Sequence, residues 1–216
     1  MARTVIKICG LTRAEDGLAA IGAGADWLGL VRWPGSPRFR PFKACVEMVV
    51  RLRAEAPRPF EVIGVYVNPE ESTLRDEIER LGLDRVQFHG EESPQRVGGC
   101  PLPAIKTVKV GSAGFHPSPE DYPGLLLLTD TAEASSPGGT GQSYDPGLLA
   151  ELVRRRKVIV AGGLKPDNVG EVVRRLRPFG VDVASGVEAA PGLKDPERLK
   201  RFVQAIRQAE SEPACR

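Results

Sequence analysis

The sequence predicts a single α/β domain built as a (β/α)8 TIM barrel, and three observations predict it. Eight short apolar runs recur along the chain, and segments with helical spacing separate most of them. A length of 216 residues at 41% hydrophobic content suffices for one sizeable core and not for two ordinary domains. The apolar runs occupy 4–9, 27–33, 61–67, 85–89, 104–110, 125–130, 158–162 and 181–186. Helical spacing marks 14–24, 41–56, 70–81, 147–156, 167–177 and 196–209, as in Val169, Val172, Val173 and Leu176 at i, i+3, i+4 and i+7. Pro69, Pro166 and Pro196 stand near helix starts, with Asp167 or Asn168 available as a cap. Strands alternating with helices require right-handed crossovers and a parallel sheet, and eight such units close more naturally than they stay open.

The rival architecture, a doubly wound open sheet binding a dinucleotide, would carry G-x-G-x-x-G after its first strand, and "CGLTRAEDG" is not that pattern. Two connections depart from the regular plan. Residues 93–100 hold barely a helix, and "GSAGFHPSPEDYP" (111–123) has too many Pro and Gly residues to form one, so the helix after strand five is expected to be short or missing. The barrel domain is expected over 1–210, with 211–216 a disordered tail.

Composition removes several function classes. Thirty basic residues against 28 acidic ones, spread along the chain, leave no footprint for nucleic acid. The cluster Arg154-Arg155-Arg156-Lys157 suits a helix C-terminus, where positive charge meets the dipole. No run approaches the roughly 20 apolar residues of a membrane span, and "MARTVIKICG" lacks a signal-peptide core, so a soluble cytoplasmic protein without a membrane partner is expected. Cys9, Cys45, Cys100 and Cys215 show no C-x-x-C spacing, so they are expected as free thiols with no metal site.

Side chains alternate along a strand, and in a barrel one face meets the helices while the other faces the interior. Strand one, "VIKIC", sends Ile6 and Ile8 outward and keeps Lys7 and Cys9 inside. By the same test Gln87 and His89 point inward from strand four, and Asp182 from strand eight; strand six ends on Asp130. These residues are expected to converge at the mouth where barrel enzymes place their chemistry. Taken singly, a buried cysteine is ordinarily packing and an aspartate after a strand is ordinarily a cap. An interior lysine is harder to dismiss, because a buried ammonium demands a partner.

Two late strands end in glycine-bearing turns, "VIVAGGL" and "VDVASGVE". Backbone amides at Gly162-Gly163 and Ser185-Gly186 can surround an anion, and the loops after strands seven and eight are the usual phosphate site of barrels. A third cluster, "SPGGTGQSYD" (Ser136 to Asp145), has the length of an active-site loop and lacks the Walker lysine pattern.

In this order, "KICGLT", "SPR" (Ser36-Pro37-Arg38), "VQFHGEE", the aspartate of "LLLLTD", "GGTG", "VAGGL" and "VDVASGVE" with "PGLKD" resemble the phosphoribosylanthranilate isomerase family of tryptophan biosynthesis over residues 5–195. The resemblance implies an Amadori rearrangement of N-(5-phosphoribosyl)anthranilate to 1-(2-carboxyphenylamino)-1-deoxyribulose 5-phosphate, with no metal or organic cofactor. It further implies Cys9 as general base, Asp130 as general acid, Arg38 as the holder of the anthranilate carboxylate, and Gly162, Gly163, Ser185 and Gly186 as phosphate binders. Lys7, His89 and Asp182 are supporting candidates, Lys7 either assisting thiolate formation or pairing with Asp182. A monomer or a homodimer is compatible with the sequence.

The chain departs from the family pattern in two places. Gln142 and Tyr144-Asp145-Pro146 follow "GGTG" where a basic residue and an aromatic-Asp-Trp triplet are common, and "LVRWPG" puts Arg32 and Trp33 where phenylalanine or tyrosine is usual, with an altered anthranilate pocket as the expected result. The competing functions are another phosphosugar barrel enzyme, such as indoleglycerol phosphate synthase or a histidine-pathway relative, and an inactive sugar-phosphate-binding barrel. The first would need further lysine and glutamate on central strands; the second has no use for both an acid and a base.

Overall fold

Each of the eight apolar runs forms a strand, and the strands close on themselves. The computed structural model describes residues 3–111, 114–130 and 146–212. The barrel strands are β1 (Val5–Cys9), β2 (Trp27–Val31), β3 (Glu61–Tyr66), β4 (Arg85–Phe88), β5 (Ala104–Gly111), β6 (Leu126–Asp130), β7 (Val158–Ala161) and β8 (Gly180–Val183). Neighbours run β4-β3-β2-β1-β8-β7-β6-β5, and β5 pairs back onto β4, every rung of the ring being parallel. The helices are α1 (Ala14–Ala23), α2 (Phe42–Glu55), α3 (Glu71–Leu81), α4 (Pro94–Gly98), α5 (Pro146–Arg155), α6 (Pro166–Leu176) and α7 (Pro196–Ser211).

Local chemistry explains their ends. Gly24 and Gly82 take the left-handed conformation after α1 and α3, where their N–H groups close the last turn. Asp195 caps α7 by accepting from the N–H groups of Glu197 and Arg198, with Pro196 at the first helical position. At α6, of the two candidate caps Asn168 serves, reaching back from the third position to accept from Lys165 N at 2.7 Å. α7 runs through Ser211, the first residue of the expected tail; residues 213–216 of that tail lie outside the described residues.

The two irregular connections behave as their composition demands. The α4 helix is five residues long. Among the described residues no α-helix follows β5; Gly114–His116 folds back antiparallel on β5, and a 3-10 turn covers Pro119–Asp121. Arg156, from the basic cluster at the end of α5, donates to the carbonyls of Pro119, Tyr122 and Leu125 and so seals this helix-free wall.

Alternation splits the apolar residues into two clusters. Ile6, Ile8, Leu28, Val86, Phe88, Leu127, Val160, Val181 and Val183 pack outward against the helices. Inside, Val5, Trp27, Ile63, Ile105, Leu126, Ile159 and Phe179 plug the N-terminal end of the barrel. Glu61 and Arg85 pair over Trp27 at that end, while Lys7, Gln87, Thr107 and Asp182 stand later in their strands, toward the C-terminal mouth.

Candidate active site

Parallel pairing puts residues in register on one face of the sheet, and this builds the Cys9 side of the mouth. Lys7 stands opposite Asp182 in the β1–β8 ladder, and Cys9 opposite Gly29 in the β1–β2 ladder. Lys7 is wholly buried, and its Nζ lies 3.0 Å from Asp182 Oδ1. A Cβ on Gly29 would come 2.8 Å from Cys9 Sγ and 3.2 Å from Lys7 Nζ, so both side chains use the space that glycine leaves. Burial works against the Lys7 ammonium, but Asp182 and the Cys9 thiol outweigh it and hold its pKa above the ordinary value. Burial pushes the Cys9 thiol up; Lys7 and Lys194 pull the other way, and Asp182 adds to the rise.

Asp130 closes β6 on the opposite side. His89, just past the end of β4, presents Nε2 to Asp130 Oδ2 at 3.5 Å. Its Nδ1 lies 3.3 Å from Gln87 Nε2 and 3.2 Å from Thr107 Oγ1, and Gln87 Nε2 donates to Thr107 Oγ1 at 3.1 Å. Lys109 faces Asp130 in the β5–β6 register and also lines the mouth. Beneath the turn that carries His89, the buried Lys106 ammonium donates to Gly90 O and to Glu92, whose carboxylate accepts from the N–H groups of Asn68 and Gly90.

Arg38 reaches the mouth from the loop between β2 and α2, with its N–H donating to Ser36 Oγ. Its stem lies against Gly10, where an added Cβ would meet Arg38 Cδ at 2.2 Å and where φ is +75°. The Nε and Nη2 edge of the guanidinium grips Glu188 at 2.8 and 2.6 Å. Burial opposes the Glu188 carboxylate, yet the bonds from Arg38 and Lys194 hold its pKa below the ordinary value. Of Arg32 and Trp33, either of which is expected from the sequence to alter the anthranilate pocket, Trp33 lines the cavity, while Arg32 turns under the loop to fork Glu77 at 2.8 and 2.6 Å.

The two glycine turns meet. Gly162 and Gly163 have φ of +90° and +60°, and a Cβ on Gly186 would fall 1.8 Å from Leu164 O, so only glycine lets the β8 turn approach the β7 turn this closely. Ser185–Val187 forms a 3-10 turn with its Ser185 and Gly186 backbone facing the same space. One cavity of about 530 Å³ gathers Cys9, Arg38, His89, Asp130, Asp182 and both turns, within the range of a small-molecule site. Lys7 lies beneath its floor. The loop 136–145, Gln142 and Tyr144 with it, lies outside the described residues.

Inspection of the sequence for site residues misses Gly29, Thr107, Glu188 and Lys194. Glu188 and Lys194 carried a legible signal: they are opposite charges flanking a short Pro-Gly segment, and they pair across a two-stranded antiparallel ladder. Among the described residues no group of three His, Cys, Asp or Glu side chains could hold a metal ion, and no helix is long and apolar enough to cross a membrane.

A family model described as N-(5'-phosphoribosyl)anthranilate (PRA) isomerase matches residues 6–205. The N-(5'-phosphoribosyl)anthranilate isomerase of Magnetococcus marinus is 41% identical over 95% of this chain and 96% of its own. The crystal structure of phosphoribosyl anthranilate isomerase from Thermotoga maritima superposes with a TM-score of 0.81 at 33% identity, covering 95% of this chain and 99% of the other. A second crystal structure of that enzyme type, in complex with reduced 1-(o-carboxyphenylamino)-1-deoxyribulose 5-phosphate, gives a TM-score of 0.78 at 30% identity, with 95% and 99% covered.

Proposed function

The chain belongs to the N-(5'-phosphoribosyl)anthranilate isomerase family of tryptophan biosynthesis, and from this premise we propose how its barrel mouth carries out the aldose-to-ketose rearrangement. The observation that carries the reading is the single cavity with a thiol on one wall, a carboxyl group on the other, and an anion grip at each end. Two glycine turns offer backbone N–H groups to the substrate phosphate, and Arg38 offers its guanidinium to the anthranilate carboxylate. Glu188 holds the Nε and Nη2 edge of that guanidinium, and Nη1 has no acceptor among the described residues, so Nη1 is the group left for the substrate. Fixing both ends stretches the sugar between acid and base.

Asp130, as the carboxylic acid, gives its proton to the ring oxygen; the C1–O bond breaks and the nitrogen lone pair forms a cationic Schiff base. That cation withdraws electrons from C2. The Cys9 thiolate then takes the C2 proton, the C–H electron pair becomes the C1–C2 double bond, and the Schiff-base π electrons return to nitrogen. The resulting enolamine tautomerises to the ketone, and solvent returns the proton from Cys9 to Asp130.

Burial raises the thiol pKa and so makes the thiolate the stronger base once it has formed, while the ammonium groups of Lys7 and Lys194 act in the opposite sense and favour its formation. Lys7 supplies fixed positive charge beneath Cys9, and Asp182 neutralises part of it. His89 presents its Nε2 to Asp130 at 3.5 Å. The enzyme acts on a soluble phosphosugar, and we place it in the cytoplasm.

Turnover of N-(5'-phosphoribosyl)anthranilate by the purified protein, followed by chromatography of the product, tests the reading with Cys9→Ala beside it. The parent should convert the substrate and the variant should lose about 10²–10⁴-fold in kcat. A parent without turnover, or a Cys9→Ala variant within tenfold of it, would overturn the assignment.

A further inference from the structure

We propose that Lys194 is the positioning residue that ties the base, the phosphate turn and the carboxylate clamp into one rigid unit. This rests on the roles given above to Cys9, Arg38 and the 185–186 turn. An ammonium has three N–H groups, and all three of Lys194 are spent on parts of the site. Its Nζ donates to Cys9 O at 2.6 Å, to Ala184 O at 3.1 Å and to Glu188 Oε1 at 2.8 Å. The first carbonyl belongs to the residue that carries the base. The second immediately precedes the Ser185-Gly186 turn. The third acceptor is the carboxylate that grips the Arg38 guanidinium.

The geometry is that of a hub rather than of an ordinary surface pair. Lys194 is 3% exposed and Glu188 6%, so neither charge is solvated and each bond is made in a medium where it is strong. The hub is itself anchored, since Lys194 N–H donates to Asp16 Oδ2 in α1 at 3.1 Å and the residue pairs with Glu188 across the short ladder. Cys9, Ala184, Glu188 and Lys194 come from β1, the end of β8 and the hairpin that follows it. Among the described residues no backbone hydrogen bond links these three to Arg38, whose own loop leaves from β2. The charged pair Lys194–Glu188 supplies that link. The Nζ bound to Cys9 O also adds positive charge near the thiol.

A merely structural role would stabilise the fold and nothing more, so the test separates the two. Lys194→Met removes the hub, and Lys194→Met with Glu188→Met replaces the buried pair by apolar side chains, which characteristically restores stability lost to an unpaired charge. Arg58→Met, at the opposite end of the barrel where Arg58 donates to Ala25 O and Asp26, serves as a control for lost stability alone. The readouts are Tm, kcat, KM for N-(5'-phosphoribosyl)anthranilate, and the inhibition constants of inorganic phosphate and of anthranilate, which probe the two ends separately. Both Lys194 variants should raise both inhibition constants at least fivefold and lower kcat at least tenfold, the double variant regaining Tm without regaining either. The control should lose Tm and keep all four kinetic values.

Should Lys194→Met fail to fold, Glu188→Gln keeps the shape and removes the charge, and should raise the anthranilate constant at least threefold with the phosphate constant unchanged. Kinetic constants within twofold of the parent in folded Lys194→Met, in the double variant, or in Glu188→Gln would overturn the proposal. Cys9→Ala run in parallel keeps the levels apart: if it too retained turnover, the reading of the site would fall, whereas an inactive Cys9→Ala beside a fully active Lys194→Met would remove the hub alone.

Discussion

Cys9 and Asp130 line one cavity from opposite surroundings. Cys9 is 8% exposed, and its neighbours Lys7, Asp182, Glu188 and Lys194 are buried charges locked by bonds of 2.6–3.1 Å. The side chains of His89 and Asp130 are 31% and 38% exposed and stand 3.5 Å apart. The difference fits the roles proposed for the two groups. A thiolate that takes a proton from carbon gains from a dry, charge-lined niche in which water cannot quench it. A carboxyl group that gives a proton and must be recharged gains from contact with solvent.

Removing the proposed acid gives the largest expected effect: Asp130→Asn keeps the shape, loses the proton, and should lower kcat by about 10²–10⁴-fold in steady-state assays. Crowding the dry side should come next. Gly29→Ala puts a methyl 2.8 Å from Cys9 Sγ, and a displaced base should cost up to about 10²-fold in kcat with KM nearly unchanged.

Stability should show the same asymmetry. Lys7→Met strands the Asp182 carboxylate beside an apolar side chain and should cost about 3–5 kcal/mol in urea unfolding. His89→Gln, on the wet side, should cost about 1 kcal/mol or less. A Lys7→Met loss no greater than that of His89→Gln would erase the distinction.

The pH dependence has a defined sign. The folded state holds the Cys9 proton more tightly than the unfolded chain does, so this group's contribution to stability is complete below the ordinary thiol pKa and is lost as pH rises through the higher folded value. Alkylation of Cys9 by iodoacetamide, read by mass spectrometry, should accordingly rise at higher pH than for an ordinary thiol of pKa about 8.5. The smallest effect is expected far from the mouth, where Arg75→Ala breaks an exposed pair with Glu71 and should leave Tm unchanged within error.

The two sides also differ in how far the sequence alone discloses them. Alternation in "VIKIC" and "VDVAS" suffices to send Lys7, Cys9 and Asp182 inward, because period two is a local property of the chain. The Gly-Gly and Ser-Gly turns are legible for the same local reason. Strand six is not, since "LLLLTD" is apolar on both faces and its inward residues follow only from the β5–β6 register. Glu188 as the partner of Arg38 is 150 positions away in sequence, and no pattern of spacing encodes such a meeting. Arg32 misleads by position: it sits beside the anthranilate-side loop, yet a buried guanidinium goes where a carboxylate can satisfy it, and Glu77 in α3 supplies one.

The closing of β8 onto β1 has a consequence for synthesis. Cys9 leaves the ribosome well before Asp182 and Lys194, which lie 173 and 185 positions later. Until they arrive the thiol lacks these two charged neighbours. The proposed base therefore comes into being at a moment rather than at a position: a nascent chain that ends between Asp130 and Asp182 already carries Cys9, His89 and Asp130, and still lacks half of the surroundings of the thiol.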